Sequence, residues 1–301
     1  MKKYLFLCLA AVAFIACSND DDNIFPTNQK VVESLLTQYP SAQNISWGRA
    51  WGYWVAEFER SENDIIVECE AWFSNDGVWY LGVSNIPYTS LPTAVQNSFS
   101  TSQYGQWFID EVNMIERYDS EVVYAIEAEV DNINTANEIV LYYTPEGILI
   151  RSVLNGAEPD YRPIILGEQI TNYISTNYPA ATTIDIAATT DITEVDIMDN
   201  TTLRKIYFDS KQEWLMTASR IASTDLPDIV IETIAASQYA AWEIIEAETI
   251  ENPDGEYYQV TLAGEGEQVV MKINIEGRIL QLPARCQSWQ YNAIAARKCD
   301  L

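Results

Sequence analysis

The 301-residue chain sets 44 Asp and Glu against 17 Lys and Arg, with no histidine and a formal charge of −27. Nucleic acid is excluded as a partner, because binding a polyphosphate needs clustered cations, and without imidazole no Ser-His or Cys-His catalytic pair can form. An apolar share of 48% is that of a folded chain, and the partners compatible with its charge are cationic proteins, basic peptides or divalent metals.

Residues 1–16 have the three parts of a secretory signal: Lys2 and Lys3, an apolar run over 5–15, then small Ala16. The run is about half of the ~20 residues that span a bilayer, so no permanent membrane helix is expected there. Phe14-Ile15-Ala16-Cys17 resembles the lipobox of bacterial lipoproteins, with Phe14 where Leu is usual. That resemblance implies cleavage before Cys17 and a lipid anchor on it; more than one acyl chain holds stably, each buried CH2 contributing ~0.8 kcal/mol. Cleavage would also remove Lys2 and Lys3 and leave the chain two charges more negative. Residues 17–27 form an acidic linker. Within it Ser18-Asn19-Asp20-Asp21-Asp22 is similar to an export tag for the outer face of the outer membrane, and like charges keep such a run solvated in either case. The expected location is the cell envelope, as an outer-membrane lipoprotein exposed at the surface, with a periplasm-facing anchor as the alternative.

Helices are predicted at about 28–39, 91–103, 165–178 and 227–238. The first carries Val31, Val32, Leu35, Leu36 and Tyr39, and the third Ile170, Tyr173, Ile174 and Tyr178, at helical spacing. The second and fourth open with Leu91-Pro92 and Leu226-Pro227, proline being suited to a first helical turn. Tyr39-Pro40 and Tyr178-Pro179 close the first and third. Three strand runs are expected after each helix, in the first case at about 51–60, 65–73 and 78–84, with a turn at Ser74-Asn75-Asp76-Gly77. Alternation places Trp54, Ala56 and Phe58 on one face.

The chain is duplicated. Thr37-Gln38-Tyr39-Pro40-Ser41-Ala42 aligns with Thr176-Asn177-Tyr178-Pro179-Ala180-Ala181; Ser102-Gln103-Tyr104 with Ser237-Gln238-Tyr239; and Trp107, Ile109, Glu111, Ile115 and Glu116 with Trp242, Ile244, Glu246, Ile250 and Glu251. The fold class read from this is α+β, with four units of helix plus antiparallel meander arranged as two duplicated halves, 28–155 and 163–282. The helices would pack on one face of antiparallel sheet, leaving the other free. The Tyr-Pro-x-Ala-x-x-Ile junctions at 39–45 and 178–184 and the Asp-Gly or Glu-Gly hairpins resemble the PepSY-like, β-lactamase-inhibitor-like family. The resemblance covers roughly 28–282 and implies tandem helix-on-sheet units and a binding or inhibitory role.

No catalytic constellation is readable: there is no glycine-rich phosphate loop, and 44 acidic residues make chance carboxylate pairs inevitable. Glu111 and Glu246 read as solvent-facing strand positions. Asp131-Asn132-Ile133-Asn134 and Asp196-Ile197-Met198-Asp199 do not fit a 12-residue calcium loop, so no metal and no cofactor is expected. Of five cysteines, Cys8 falls in the signal, Cys17 is the lipid acceptor and Cys69 reads as a buried apolar group. Cys286 and Cys299 could pair in an oxidising compartment. Residues 283–301 are locally basic and have no counterpart in the first half.

The sharper feature is aromatic. Trp47, Trp51, Trp54, Trp72 and Trp79 are five of the nine tryptophans. Alternation turns Trp51, Tyr53 and Trp72 away from Trp54 and Phe58, onto the helix-free face, where aromatics would bury area at low entropic cost; packing between units is the competing reading. The function expected is a non-enzymatic envelope lipoprotein that binds or inhibits an unidentified protein. The alternative is a glycan-binding protein or a carboxylate-dependent glycan hydrolase.

Overall fold

The structure, a computed structural model, describes residues 25–26, 28–62, 65–130, 137–154, 161–264 and 267–281. The signal 1–16, Cys17, the acidic run 18–22, the 131–134 motif, and the tail 283–301 with Cys286 and Cys299 lie outside the described residues. By contacts the chain divides into two units, residues 1–149 with 154–163, and residues 150–153 with 164–301.

In chain order α1 (Gln29–Gln38) precedes β1 (Gln43–Ala50), β2 (Tyr53–Glu62), β3 (Ile65–Phe73) and β4 (Trp79–Asn85). Next, α2 (Thr93–Thr101) precedes β5 (Phe108–Arg117), β6 (Val123–Val130), β7 (Asn137–Tyr143) and β8 (Leu149–Leu154). The second half repeats the order with α3 (Glu168–Asn177), β9 (Thr182–Ala188), β10 (Ile192–Asp199), β11 (Thr202–Asp209) and β12 (Trp214–Arg220). It ends with α4 (Asp228–Ala235), β13 (Glu243–Asn252), β14 (Gly255–Gly264), β15 (Glu267–Asn274) and β16 (Ile279–Gln281). Strands neighbour one another in sequence order, giving two eight-stranded antiparallel sheets, β1 to β8 and β9 to β16.

Four strands follow each helix where three were expected. The strand missed after α1 is β1, Gln-Asn-Ile-Ser-Trp-Gly-Arg-Ala, in which only Ile45 and Trp47 turn large apolar groups to the core, too short a pattern to read as alternation. It is an edge strand, and edges are protected by irregularity. A bulge between Gln43 and Ser46, with Asn44 at φ +53°, breaks its ladder. At the far edge of the second sheet, β16 is only three residues long.

Each helix buries one i, i+4 pair: Val31 and Leu35, Val95 and Phe99, Ile170 and Ile174, Val230 and Ile234. In the first unit these side chains share a core with Trp54, Ala56, Phe58, Cys69, Phe73, Ile126 and Leu141. In the second, α3 joins Val195, Ile197, Ile206 and Phe208, and α4 joins Val260, Leu262, Val269 and Met271. The Asn28 side chain accepts from the Lys30 amide and caps α1, while Pro92 and Pro227 occupy the N-cap positions of α2 and α4.

Hairpin turns dock against the helices at glycine. A Cβ at Gly147 (φ +80°) would lie 2.5 Å from the Ala94 carbonyl oxygen of α2. At α3 the arrangement is exchanged: the turn residue is Gln212 at φ +66°, and the space is left by Gly167 at the N-cap of α3, whose Cβ would meet Gln212 at 2.0 Å. Among the described residues no helix is long and apolar enough to cross a membrane.

Candidate functional site

Ala50 pairs with Tyr53, so β1 and β2 are joined by the two-residue turn Trp51-Gly52, with φ +53° and +88°. Two successive left-handed residues give the turn whose twist matches a hairpin, and Asn-Gly is its usual sequence. A bulky side chain in that conformation costs roughly 1–2 kcal/mol. Trp51 nevertheless stands there, 68% exposed. The Arg162 guanidinium lies over its ring, 4.8 Å from the centroid.

From this turn a row of rings runs along the strand face opposite Trp54 and Phe58. Tyr53 meets Tyr80 edge-on at 5.7 Å, and Tyr80 meets Tyr118 at 6.1 Å; Trp72 lies against Tyr53 at 6.2 Å. Of the expected site residues, Trp51 lies in a turn rather than a strand, Tyr53 is half-buried, and Trp72 is 2% exposed. Trp72 is therefore a support beneath Tyr53, not a surface group. Its cross-strand neighbours are Val55 and Leu81, and its indole N–H donates to the Glu70 carboxylate.

Sequence reasoning missed Tyr80 and Tyr118. The register of β3 and β4 shifts so that Trp72 faces Leu81 and Phe73 faces Trp79, leaving Tyr80 as the extra residue of a bulge. Bulges re-aim side chains, and alternation cannot show them. Tyr118 follows β5 and is 61% exposed; its amide donates to the Tyr80 carbonyl at 2.9 Å, which fixes the two rings side by side.

Carboxylates flank the row. Glu57 faces Glu70 across β2 and β3, and Glu59 faces Glu68 one step further. Burial pushes the Glu70 carboxyl up to about 7, with Glu57 adding to the rise and the Trp72 hydrogen bond opposing it. Burial, with a smaller contribution from Tyr80, also raises the Tyr53 hydroxyl. The arrangement offers ring faces, phenolic hydroxyls and negative charge. Among the described residues no group of three or more His, Cys, Asp or Glu is placed to hold a metal ion.

The second unit does not repeat the row. Register aligns Trp54, which faces Phe73, with Thr193, which faces Phe208; Tyr53 then corresponds to Ile192 and Tyr80 to Leu215. In place of the Glu57–Glu70 pair stand Asp196 and Lys205. Asp196, in the motif weighed for calcium, is 2% exposed on β10, and Asp199 pairs with Arg204 at 3.0 Å. Cys69 is a buried free thiol, 4% exposed.

A family described as beta-lactamase-inhibitor-like, PepSY-like matches residues 54–151 and 191–281. A search of curated proteins returned no match. Among solved structures the chain is similar to a BLIP-like protein from Bacteroides fragilis (24% identity, 49% of this chain, all of that one, TM-score 0.42). It is also similar to DUF2874 family proteins from Bacteroides ovatus (26% identity, 44% and 89% of the two chains, TM-score 0.39) and Bacteroides uniformis (23% identity, 42% and 88%, TM-score 0.37).

Proposed function

As the chain belongs to the beta-lactamase-inhibitor-like, PepSY-like family, we propose that it is a non-catalytic binding module of the cell envelope. It captures a protein partner through Trp51, Tyr53, Tyr80 and Tyr118 of the first unit. One observation carries this reading: Trp51 is exposed and held at positive φ in a turn that Asn or Gly would fill at lower cost. Backbone strain retained at an exposed aromatic, only partly offset by the Arg162 contact, serves recognition. Rigid aromatic side chains are the usual anchors of protein interfaces.

In the same reading the module is an outer-membrane lipoprotein anchored through Cys17, with the four helix-and-meander units acting as scaffold, the helices on one face and the binding side chains on the other. The test is a pull-down from envelope fractions with the full chain and a Trp51→Ala/Tyr53→Ala/Tyr118→Ala variant. A saturable protein partner lost from the variant supports the proposal. A partner held equally by both, or retention on glycans instead of protein, overturns it.

A further inference from the structure

The two units differ at one equivalent place, where strand ends meet a bulge. In the first unit the Ile86 amide donates to the Val112 carbonyl at 2.9 Å, and in the second Ile221 donates to Ala247 at 3.0 Å. Both neighbouring strands are bulged at matching points, between Ile109 and Glu111 and between Ile244 and Glu246. These pairs align the sites residue by residue, so that Asn85 corresponds to Arg220, Glu111 to Glu246, Ile66 to Thr201 and Tyr88 to Ser223.

In the second unit the site is filled from within: Arg220 Nη2 lies 3.1 Å from Glu246 Oε1. In the first unit no arginine stands at position 85, and an open groove of about 360 Å³ occupies the place, lined by Ile66, Ile86, Pro87, Tyr88 and Ile109 with Asn85, Asp110 and Glu111. Ile66 is 69% exposed, and Phe108, beside Ile109 on β5, is 67% exposed. Glu111 faces Glu127 across β5 and β6, and Glu129 faces Glu138 across β6 and β7. Glu111 Oε1 accepts from the Asn113 side-chain amide at 2.9 Å, and a carboxylate has lone pairs for further donors. The groove therefore joins an apolar lining, in which Ile66 and Tyr88 stand where the duplicate has Thr201 and Ser223, to the Glu111 carboxylate, and the duplicate shows a guanidinium seated beside the equivalent glutamate.

The geometry points to a docking site in this groove for an arginine-bearing segment of a partner polypeptide, its guanidinium beside Glu111 as Arg220 is beside Glu246 and an adjacent apolar side chain against Ile66 and Ile109. Arginine suits the place because its planar fork meets a carboxylate with two donors. The site is separate from the aromatic row and does not depend on it.

The probe is the peptide acetyl-Gly-Leu-Arg-Leu-Gly-amide, titrated calorimetrically into the full chain beside its citrulline analogue, which keeps the shape and loses the charge. The citrulline peptide is expected to bind about tenfold more weakly or worse, the scale of one charge-assisted pair. Asn85→Arg, which supplies the cation internally, is expected to weaken the arginine peptide by a similar factor. Thr201→Arg, the same charge change at an exposed position of the second unit, leaves binding unchanged. No binding, equal binding of the two peptides, equal binding by Asn85→Arg, or an equal loss in Thr201→Arg would each overturn the proposal. If circular dichroism shows Asn85→Arg unfolded, Glu111→Gln must show the same selective loss, and its failure to do so overturns the site.

Discussion

Asp196 and Lys205 face each other directly across β10 and β11, Asp196 buried and Lys205 half-buried. Asp185 faces Asp196 from the other side, with Arg151 at 2.9 Å from its carboxylate, and Lys205 Nζ also lies 3.5 Å from Glu194. Burial raises the Asp196 carboxyl; Lys205 and Arg151 oppose the rise, and Glu194 and Asp185 add to it. Lys205→Met leaves Asp196 and Glu194 buried without their ammonium, and breaking a buried pair from one side costs about 3–5 kcal/mol. The double variant Asp196→Leu/Lys205→Met removes the Asp196 charge as well and should recover the part of that loss owed to Asp196, Glu194 still being without its ammonium. Urea midpoints of the two variants check the difference; equal losses would mean the pairing carries no energy.

The first unit makes the opposite use of the same lattice position, with two acids face to face at Glu57 and Glu70. The Glu70 carboxyl is raised by burial from 4.5 to about 7. A carboxyl whose folded value lies above its unfolded one contributes stability that is complete below the unfolded value and is lost as pH rises through the folded one. Stability should therefore fall from about pH 4.5 to about pH 7 on this account. Burial raises Glu127, Glu248 and Asp196 in the same direction, so the wild-type slope is their combined effect. Glu70→Gln should flatten the decline in urea midpoint between pH 5 and pH 8 without abolishing it. A slope unchanged in Glu70→Gln would place the titration elsewhere.

The helix-docking turns separate what was legible in the sequence from what was not. The four helices, the duplication and the Trp54 face follow from 3.6- and 2-residue periods and from prolines at helix ends, all local signals. β1 was hidden because two apolar residues, Ile45 and Trp47, interrupted by a bulge, are too few to set a period. Tyr80 was hidden because a bulge shifts register. The burial of Trp72 depends on neighbours that no local pattern names, and the contrast of Asn85 with Arg220 acquires meaning only once equivalent hydrogen bonds align the two units. The pair Gly167 and Gln212 is of the same kind, since either side of a turn–helix contact can supply the missing Cβ. Gly147→Ala, which adds a methyl at positive φ against the Ala94 carbonyl, should destabilise by more than ~1 kcal/mol. Gln212→Gly should be neutral or stabilising by up to about 1 kcal/mol, since it relieves φ +66° at a non-glycine residue. Thermal melts of the two variants shifting the same way would sink this account of the contacts.

Trp51 gives the most direct test of whether the aromatic row exists for binding or for folding. Its ring is mostly in solvent, and Arg162 over it makes an exposed cation–π contact of about 0.5–1 kcal/mol. Against that stands the left-handed backbone, which costs roughly 1–2 kcal/mol for a bulky side chain. Trp51→Asn trades the first quantity for relief of much of the second, since Asn enters this conformation readily and Asn-Gly is the favoured sequence of the turn. The variant should be as stable as the parent or up to about 1 kcal/mol more stable, while losing affinity for the partner captured by the parent. Loss of stability together with unchanged binding would reverse the assignment and make Trp51 a structural residue of the β1–β2 hairpin. The predicted divergence, stability kept or raised and binding lost, is the signature of a residue whose cost to the fold is offset only in the complex.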